Sequence, residues 1–154
     1  TALTAAETGH LVLATLHTND AAQTVDRIID AFPPGQQQQV RAQLAEALLA
    51  VLAQQLLPAE RPTSDRAELA GRVVACEVLL GPMADVTATR EAIRSGKTHT
   101  LYTIMETGSD RGMQTMEAAL AALAAQGWIS DRTAEAAATR LVALRILRQG
   151  GGAS

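Results

Sequence analysis

The sequence predicts an α/β fold, and three observations support this class. Two short segments, Leu11 to Leu16 and Arg72 to Leu80, have the apolar and β-branched composition of core strands. Most of the remaining chain places apolar residues at helical spacing. The 154 residues are 47% hydrophobic and 19% charged, which is enough apolar material for a packed core.

The N-terminal elements read as helix, strand and helix. Thr1 to Glu7 has the pattern of a helix that ends at Thr8-Gly9. The run from Leu11 to Leu16 is continuously apolar, which predicts a strand buried on both faces of a parallel sheet. Thr18-Asn19-Asp20 offers N-cap side chains for a helix that runs to Phe32, and Pro33-Pro34-Gly35 ends that helix.

The rest of the chain is predicted to be mostly helical. Gln36 to Leu57 has one apolar face and ends at Pro58, so it is predicted as a single helix. A polar, proline-containing loop covers 59–70 before the strand at 72–80, and Gly81-Pro82 then interrupts the chain. Four further helices are predicted, with Ser130 as the N-cap of the last: 83–95, 98–106, 112–126 and 131–148.

Composition excludes several classes of protein. Only 2% of residues are aromatic and the formal net charge is -3, which argues against a nucleic-acid platform. The single cysteine, Cys76, excludes an intramolecular disulfide and a cysteine zinc cage, and its predicted place in a strand indicates an inert thiol. There is no apolar run long enough for a transmembrane segment and no signal peptide. The chain begins without Met, which we interpret as a fragment or a processed chain.

Candidate binding residues lie at the end of the first predicted strand. His17 and Thr18 follow the apolar run and precede a helix, and ligands of open parallel sheets bind at such strand ends. Both side chains can hydrogen-bond a phosphate; the alternative is a pair of polar residues that only ends a strand. His10 and His17 are separated by an odd number of positions, so a continuous strand would place them on opposite faces. No shared metal is therefore predicted.

Two further motifs lie in the second half of the chain. Ser95-Gly96-Lys97-Thr98 resembles the end of a phosphate loop, but that motif requires glycine at position 91, which is Glu91. We therefore interpret Gly96 as a helix C-cap. Arg90, Arg94 and Lys97 lie on one helical face, which is either solvated or ion-paired with another subunit.

These segments resemble a known family. TAAETGHLVLATLHTNDAAQTVDRIIDAFP, Thr4 to Pro33, closely resembles the histidine-box region of the PilT-type type IV pilus retraction ATPases, within the type II/IV secretion ATPase superfamily. The similarity continues through QVRAQLAEALLAVLAQQLLP, GRVVACEVLL, IRSGKTHTLYTIMETG and GMQTMEAALAALAAQGWIS, and so covers nearly the whole chain.

The resemblance implies a fold and a domain organisation. The chain would be the C-terminal portion of a RecA-like P-loop ATPase domain, with few parallel core strands, followed by a helical region. The corresponding boundaries are 1–80 for the core part, 81–149 for the helical region and 150–154 for a flexible tail. The phosphate loop and the acidic residues associated with Mg²⁺ would precede this chain.

The resemblance also implies site residues and partners. His10 and His17 match the histidine box as candidate catalytic residues, and Thr18 is the candidate nucleotide contact. The cofactors would be ATP and Mg²⁺, bound mainly by residues outside this chain, which alone is predicted to be inactive. The protein would be a cytoplasmic homohexamer, peripheral at the inner membrane and in contact with the pilus platform protein, without nucleic acid or a transmembrane segment.

One helix of the family, important for retraction, departs partly from the family pattern. The family sequence A-I-R-N-L-I-R-E aligns with Ala88 to Ser95, and Arg90 and Arg94 match as motor or subunit-interface residues. The stretch between Pro58 and Gly71 has no cysteine, unlike the zinc insertion common in the sister assembly ATPases, which favours the retraction branch. A sister assembly or secretion ATPase and a non-catalytic helical adaptor remain the alternatives.

Overall fold

A computed structural model describes residues 2–60, 71–81 and 87–150. Eight α-helices and two strands are found in these ranges, together with 3₁₀ turns at Thr98–Thr100 and Ser109–Arg111. In chain order the elements are α1 Ala2–Glu7, α2 Ala21–Asp30, α3 Pro34–Ala47, β1 Ala50–Pro58, β2 Arg72–Leu80, α4 Thr87–Arg94, α5 Leu101–Thr107, α6 Met116–Ala125, α7 Asp131–Ala137 and α8 Leu141–Gly150. The predicted α/β class and the strand at 72–80 are confirmed.

The described sheet consists of β1 and β2 alone. The Ala59 N–H donates to the Gly71 carbonyl, and the Gly81 N–H donates to the Leu49 carbonyl, each at 2.7 Å. Residue numbers rise along one strand as they fall along the other, so the pair is antiparallel. The parallel pairing expected from the sequence is therefore not the pairing of the strands that the structure describes.

The predicted helix from Gln36 to Leu57 is wrong in its second half. α3 ends at Ala47, and Leu48 already has extended dihedral angles of φ -68° and ψ 124°. From Ala50 onward burial largely alternates: Val51 and Ala53 face a core, whereas Leu52 is 59% exposed. The alternation has a period of two, and pairing with β2 satisfies the strand backbone, so the sheet prevails over the helical spacing of the leucines.

The predicted buried strand at Leu11 to Leu16 is also wrong for the described chain. This segment has no assigned strand or helix, and Leu11 and Leu13 are 72% and 88% exposed. A strand requires a neighbour that accepts its backbone hydrogen bonds, and the two strands that the structure describes pair only with each other.

The predicted helix at 131–148 is two helices, α7 and α8. The chain leaves the helical conformation at Ala138, where φ is -71° and ψ is 132°. The Arg140 N–H then donates to Oε1 of Glu117 at 2.9 Å, so a buried carboxylate on α6 marks the break. The first residues of the predicted 112–126 helix are likewise outside α6, because Thr115 caps its N-terminus.

Some of the predicted helix caps and ends are confirmed, and others are not. The glycine cap after α1 is confirmed, since Gly9 has φ +88°, and the N-caps at Asp20 and Ser130 are confirmed. α2 ends at Asp30, before the predicted end at Phe32, and Pro34 begins α3. The predicted loop at 61–70 and the tail at 151–154 lie outside the described residues, while Gly150 is the last residue of α8.

The chain divides into two compact units, each assembled from two segments. The first unit comprises Thr1–Ala53 with Val78–Met113, and the second comprises Gln54–Glu77 with Gln114–Ser154. The core of the first unit contains the fully buried Val25, Ile29, Ile93 and Leu101. The core of the second unit is built around Leu120, Ala134 and Leu144. The boundary at residue 80 suggested by the sequence stays a prediction.

Candidate functional site

The segment between α1 and α2 carries the candidate histidines on its surface. His10 and His17 are both exposed, whereas Thr18 is half-buried against the start of α2. Since neither histidine is enclosed, each imidazole is accessible to a ligand. The structure thus agrees with a surface position for His17 immediately before a capped helix, although the segment that leads to it is not a strand.

Asp20 caps the N-terminus of α2. Its Oδ1 accepts from the Gln23 N–H at 2.7 Å, and its Oδ2 accepts from Gln23 Nε2 at 2.7 Å. The carboxylate therefore satisfies a backbone donor that an anion would otherwise bind, and it places a negative charge at the positive end of the helix. An anion in this region would have to lie beside the cap.

Thr18 is anchored to α2 by a chain of two hydroxyl hydrogen bonds. The Thr24 hydroxyl donates to the Asp20 carbonyl at 2.8 Å and lies 2.7 Å from the Thr18 hydroxyl. A carbonyl oxygen can only accept, so the Thr24 hydroxyl donates its one proton to Asp20. Thr18 is therefore the donor in the second bond. Thr24, which the sequence analysis did not single out, is thus the partner that fixes the residue next to His17.

This geometry bears on the role predicted for Thr18. Its hydroxyl proton is committed to Thr24, so donation from this side chain to a phosphate would require that bond to break. In the described conformation, Thr18 positions the segment on α2. Only its lone pairs or its backbone are left for other partners.

His10 is fixed by the cap of α1. The Thr8 hydroxyl donates to the Ala5 carbonyl at 2.8 Å, and the same oxygen lies 3.1 Å from Nδ1 of His10. Because Thr8 has already used its proton, Nδ1 of His10 is the donor in this pair. In this arrangement Nε2 is the ring nitrogen of His10 that is left for another partner.

These residues offer a limited set of polar groups to a ligand. They supply one accessible imidazole at His17 and a helix N-terminus already occupied by Asp20. The sequence contains no G-x-x-x-x-G-K-[ST] motif for the phosphates. Within the described ranges, no three residues among His, Cys, Asp and Glu are grouped to hold a metal ion, so Mg²⁺ has no described ligand set.

The two arginines of α4 have different surroundings. Nη2 of Arg90 lies 3.4 Å from Oε2 of Glu46 on α3, and both side chains are partly exposed. Arg94 is exposed in the last turn of α4, where a cation also complements the helix dipole. Gly96, with φ +73°, ends the helix as predicted, and the Lys97 N–H donates to the Ala92 carbonyl at 2.8 Å.

Cys76 on β2 has the character expected of an unreactive thiol. Its surroundings raise its pKa, mainly because burial disfavours the thiolate and secondarily because Glu77 is negative. The thiol lies 3.5 Å from the Glu77 carbonyl, which it faces as a weak donor.

Among the described residues, no helix has the length and apolar content needed to cross a membrane.

Comparison with known proteins defines the class to which this fold and site belong. Residues 1–81 match the family described as type II/IV secretion system protein, and the chain belongs to this family. The predicted place in the type II/IV secretion ATPase superfamily is thereby confirmed, and the relatives below support the resemblance to the pilus retraction ATPases. Individual relatives within this family give a more specific match than the family model. The chain is 44% identical over 133 residues to a twitching motility protein of Neisseria gonorrhoeae, covering 86% of this chain and 33% of that protein.

Two further matches agree with this assignment. The type IV pilus retraction ATPase PilT of Pseudomonas aeruginosa is 42% identical over 133 residues, covering 86% of this chain and 35% of that protein. The crystal structure of the pilus retraction motor PilT with bound ADP superposes with a TM-score of 0.77 at 40% identity, covering 94% of this chain and 37% of that one. The chain thus spans about a third of the length of these relatives.

Proposed function

We propose that this chain is part of a motor ATPase that powers type IV pilus retraction, and that it carries the histidine box and C-terminal helices of that motor. The observation that carries the proposal is the accessible His17 imidazole directly before the Asp20-capped helix α2. Support comes from the identity of 40% to 44% with a twitching motility protein and with pilus retraction motors.

The proposed role of His17 is to contact the terminal phosphate of ATP. A neutral or charged imidazole donates a hydrogen bond to a phosphate oxygen, which stabilises charge that develops during phosphoryl transfer. Thr18 and Thr24 hold the adjacent backbone on α2, so that movement of His17 displaces this helix. ATP with Mg²⁺ supplies the phosphoryl-transfer chemistry, and its main binding residues would lie outside these 154 residues.

His10 and the arginines have supporting roles in this proposal. His10, oriented through Nδ1 by Thr8, presents Nε2 for a second polar contact near the same segment. Arg94 is exposed and suits a contact with a neighbouring subunit, whereas Arg90 is already ion-paired with Glu46 inside its own unit. The proposed assembly is a cytoplasmic homohexamer, peripheral at the inner membrane and in contact with the pilus platform protein.

The decisive experiment measures ATP turnover of the complete polypeptide that contains these residues. His17→Ala should lower turnover about 10- to 100-fold, the range expected for losing one hydrogen bond to a charged group. His99→Ala is the matched control, because His99 is also exposed but lies beyond α4. An unchanged rate in His17→Ala, with wild-type hydrolysis intact, would contradict the role of His17.

A second measurement tests whether this chain alone hydrolyses ATP. The purified 154-residue chain should hydrolyse no ATP, since it lacks a phosphate loop. Turnover by this chain alone would overturn the proposal that the phosphate site lies elsewhere.

A further inference from the structure

The hydrogen bond between Asp26 and Thr98 joins two distant parts of the chain within the first unit. The Thr98 hydroxyl donates to Oδ2 of Asp26 at 3.1 Å. Thr98 is only 8% exposed, and Asp26 is half-buried on α2. Side chains that hydrogen-bond away from bulk water hold a more defined geometry than exposed ones, so this pair fixes the position of one element relative to the other.

The N-terminal side of this connection leads to the candidate site. Asp26 lies two residues after Thr24, which accepts from Thr18 next to His17. α2 therefore makes polar contacts with two partners, the segment that bears His17 and the residue Thr98. Its apolar side chains Val25 and Ile29 are fully buried, so α2 is packed into the core of the first unit.

The other side of the connection leads to the end of α4. Thr98 begins the 3₁₀ turn that follows the Gly96 cap, and Lys97 is tied back to α4 through the Ala92 carbonyl. Two residues around this turn are exposed and basic, Arg94 and Lys97. A displacement of α2 that keeps the Asp26–Thr98 bond therefore carries the end of α4, and with it this surface.

We propose that Asp26 and Thr98 are positioning residues of the motor, which couple the phosphate state sensed beside α2 to the orientation of α4. The inference rests on the proposed function, because it requires that nucleotide acts on the His17 segment. Neither residue needs to touch the nucleotide. Their effect is on the transmission of a displacement from one helix to another, which is a coupling between two sites.

The test is hydrogen–deuterium exchange of the complete polypeptide with ADP and with a non-hydrolysable ATP analogue. In the wild type, the exchange rates of α2 and α4 amides should both differ between the two nucleotides. In Thr98→Val the difference in α2 should persist, while the difference in α4 should fall at least about fivefold, the lower end of ordinary couplings. Thr98→Ser keeps the hydroxyl and should retain the wild-type response.

Three comparisons make the outcome decisive. Asp26→Ala breaks the bond from the other side, so it must give the same loss in α4, and the double variant must add nothing further. Thr103→Val, at an exposed threonine on α5, should behave as wild type. A Thr98→Val protein whose α4 responds as strongly as wild type would overturn the coupling and leave the proposed function intact. A wild type whose α2 shows no nucleotide response would overturn the proposed function itself.

Discussion

Replacing Thr89 by valine should stabilise the protein. Thr89 is fully buried on α4 at 0% exposure, and its Oγ1 has no hydrogen-bond partner in the described part of the chain. A hydroxyl that leaves water without a compensating bond costs about 1–3 kcal/mol in proteins. Valine has nearly the same shape, so the substitution removes the polar group without opening a cavity.

The magnitude follows from what the two side chains share. Both are β-branched and have similar helix propensities, so the backbone contribution nearly cancels. The remaining difference is the unsatisfied hydroxyl, which gives an expected gain of about 1 kcal/mol in the free energy of unfolding. For a chain of this size, that corresponds to an increase in melting temperature of about 3 °C.

Urea unfolding followed by far-ultraviolet circular dichroism measures this difference directly. Thr103→Val, at an exposed site on α5, is the matched control and should change the free energy of unfolding by less than about 0.5 kcal/mol. A lower free energy of unfolding for Thr89→Val than for the wild type would refute the reasoning. It would mean that the Thr89 hydroxyl is bonded in solution.

Three further predictions concern both units. Glu117→Ala should lower the free energy of unfolding by about 2–4 kcal/mol, because it removes the acceptor of the Arg140 N–H and leaves a cavity; Glu117→Gln should cost less in the same urea assay. Gly96→Ala should destabilise by about 1 kcal/mol at φ +73°, whereas Gly35→Ala, in helix α3 with open space around it, should not. Burial raises the pKa of Cys76, so the unfolded thiol ionises first; stability should therefore fall as the pH rises into the alkaline range, with a smaller slope in Cys76→Ala.

Local sequence was sufficient where one element could be recognised from its own residues. The cap at Asp20, the glycine ends at Gly9 and Gly96, and the β-rich strand β2 all follow from residues within a few positions. By contrast, the segment 44–57 fits a helix as well as a strand, because leucines recur every four residues from Leu44 to Leu56, whereas the buried residues of β1 are Val51, Ala53 and Leu57. Only pairing with β2 decides between them, and pairing is a long-range property.

In the candidate site, too, only the features that depend on neighbouring residues could be predicted. The N-cap at Asp20, three residues after His17, was predictable because caps have local signatures. The donor role of Thr18 was not predictable, because it depends on which oxygen accepts the proton of the Thr24 hydroxyl. The strand at Leu11 to Leu16 failed because a buried strand is defined by its neighbours, and none of the described strands lies beside it.

Gly81, directly after β2, also packs against the segment that follows α3. A Cβ atom built at Gly81 would overlap the Leu48 carbonyl, so only glycine allows this approach. There the Gly81 N–H reaches the Leu49 carbonyl, immediately after α3 ends. The change from helix to strand is therefore stabilised by a residue at the far end of the hairpin. Since α3 also holds Arg90 through Glu46, the same glycine helps to set the support on which α4 lies.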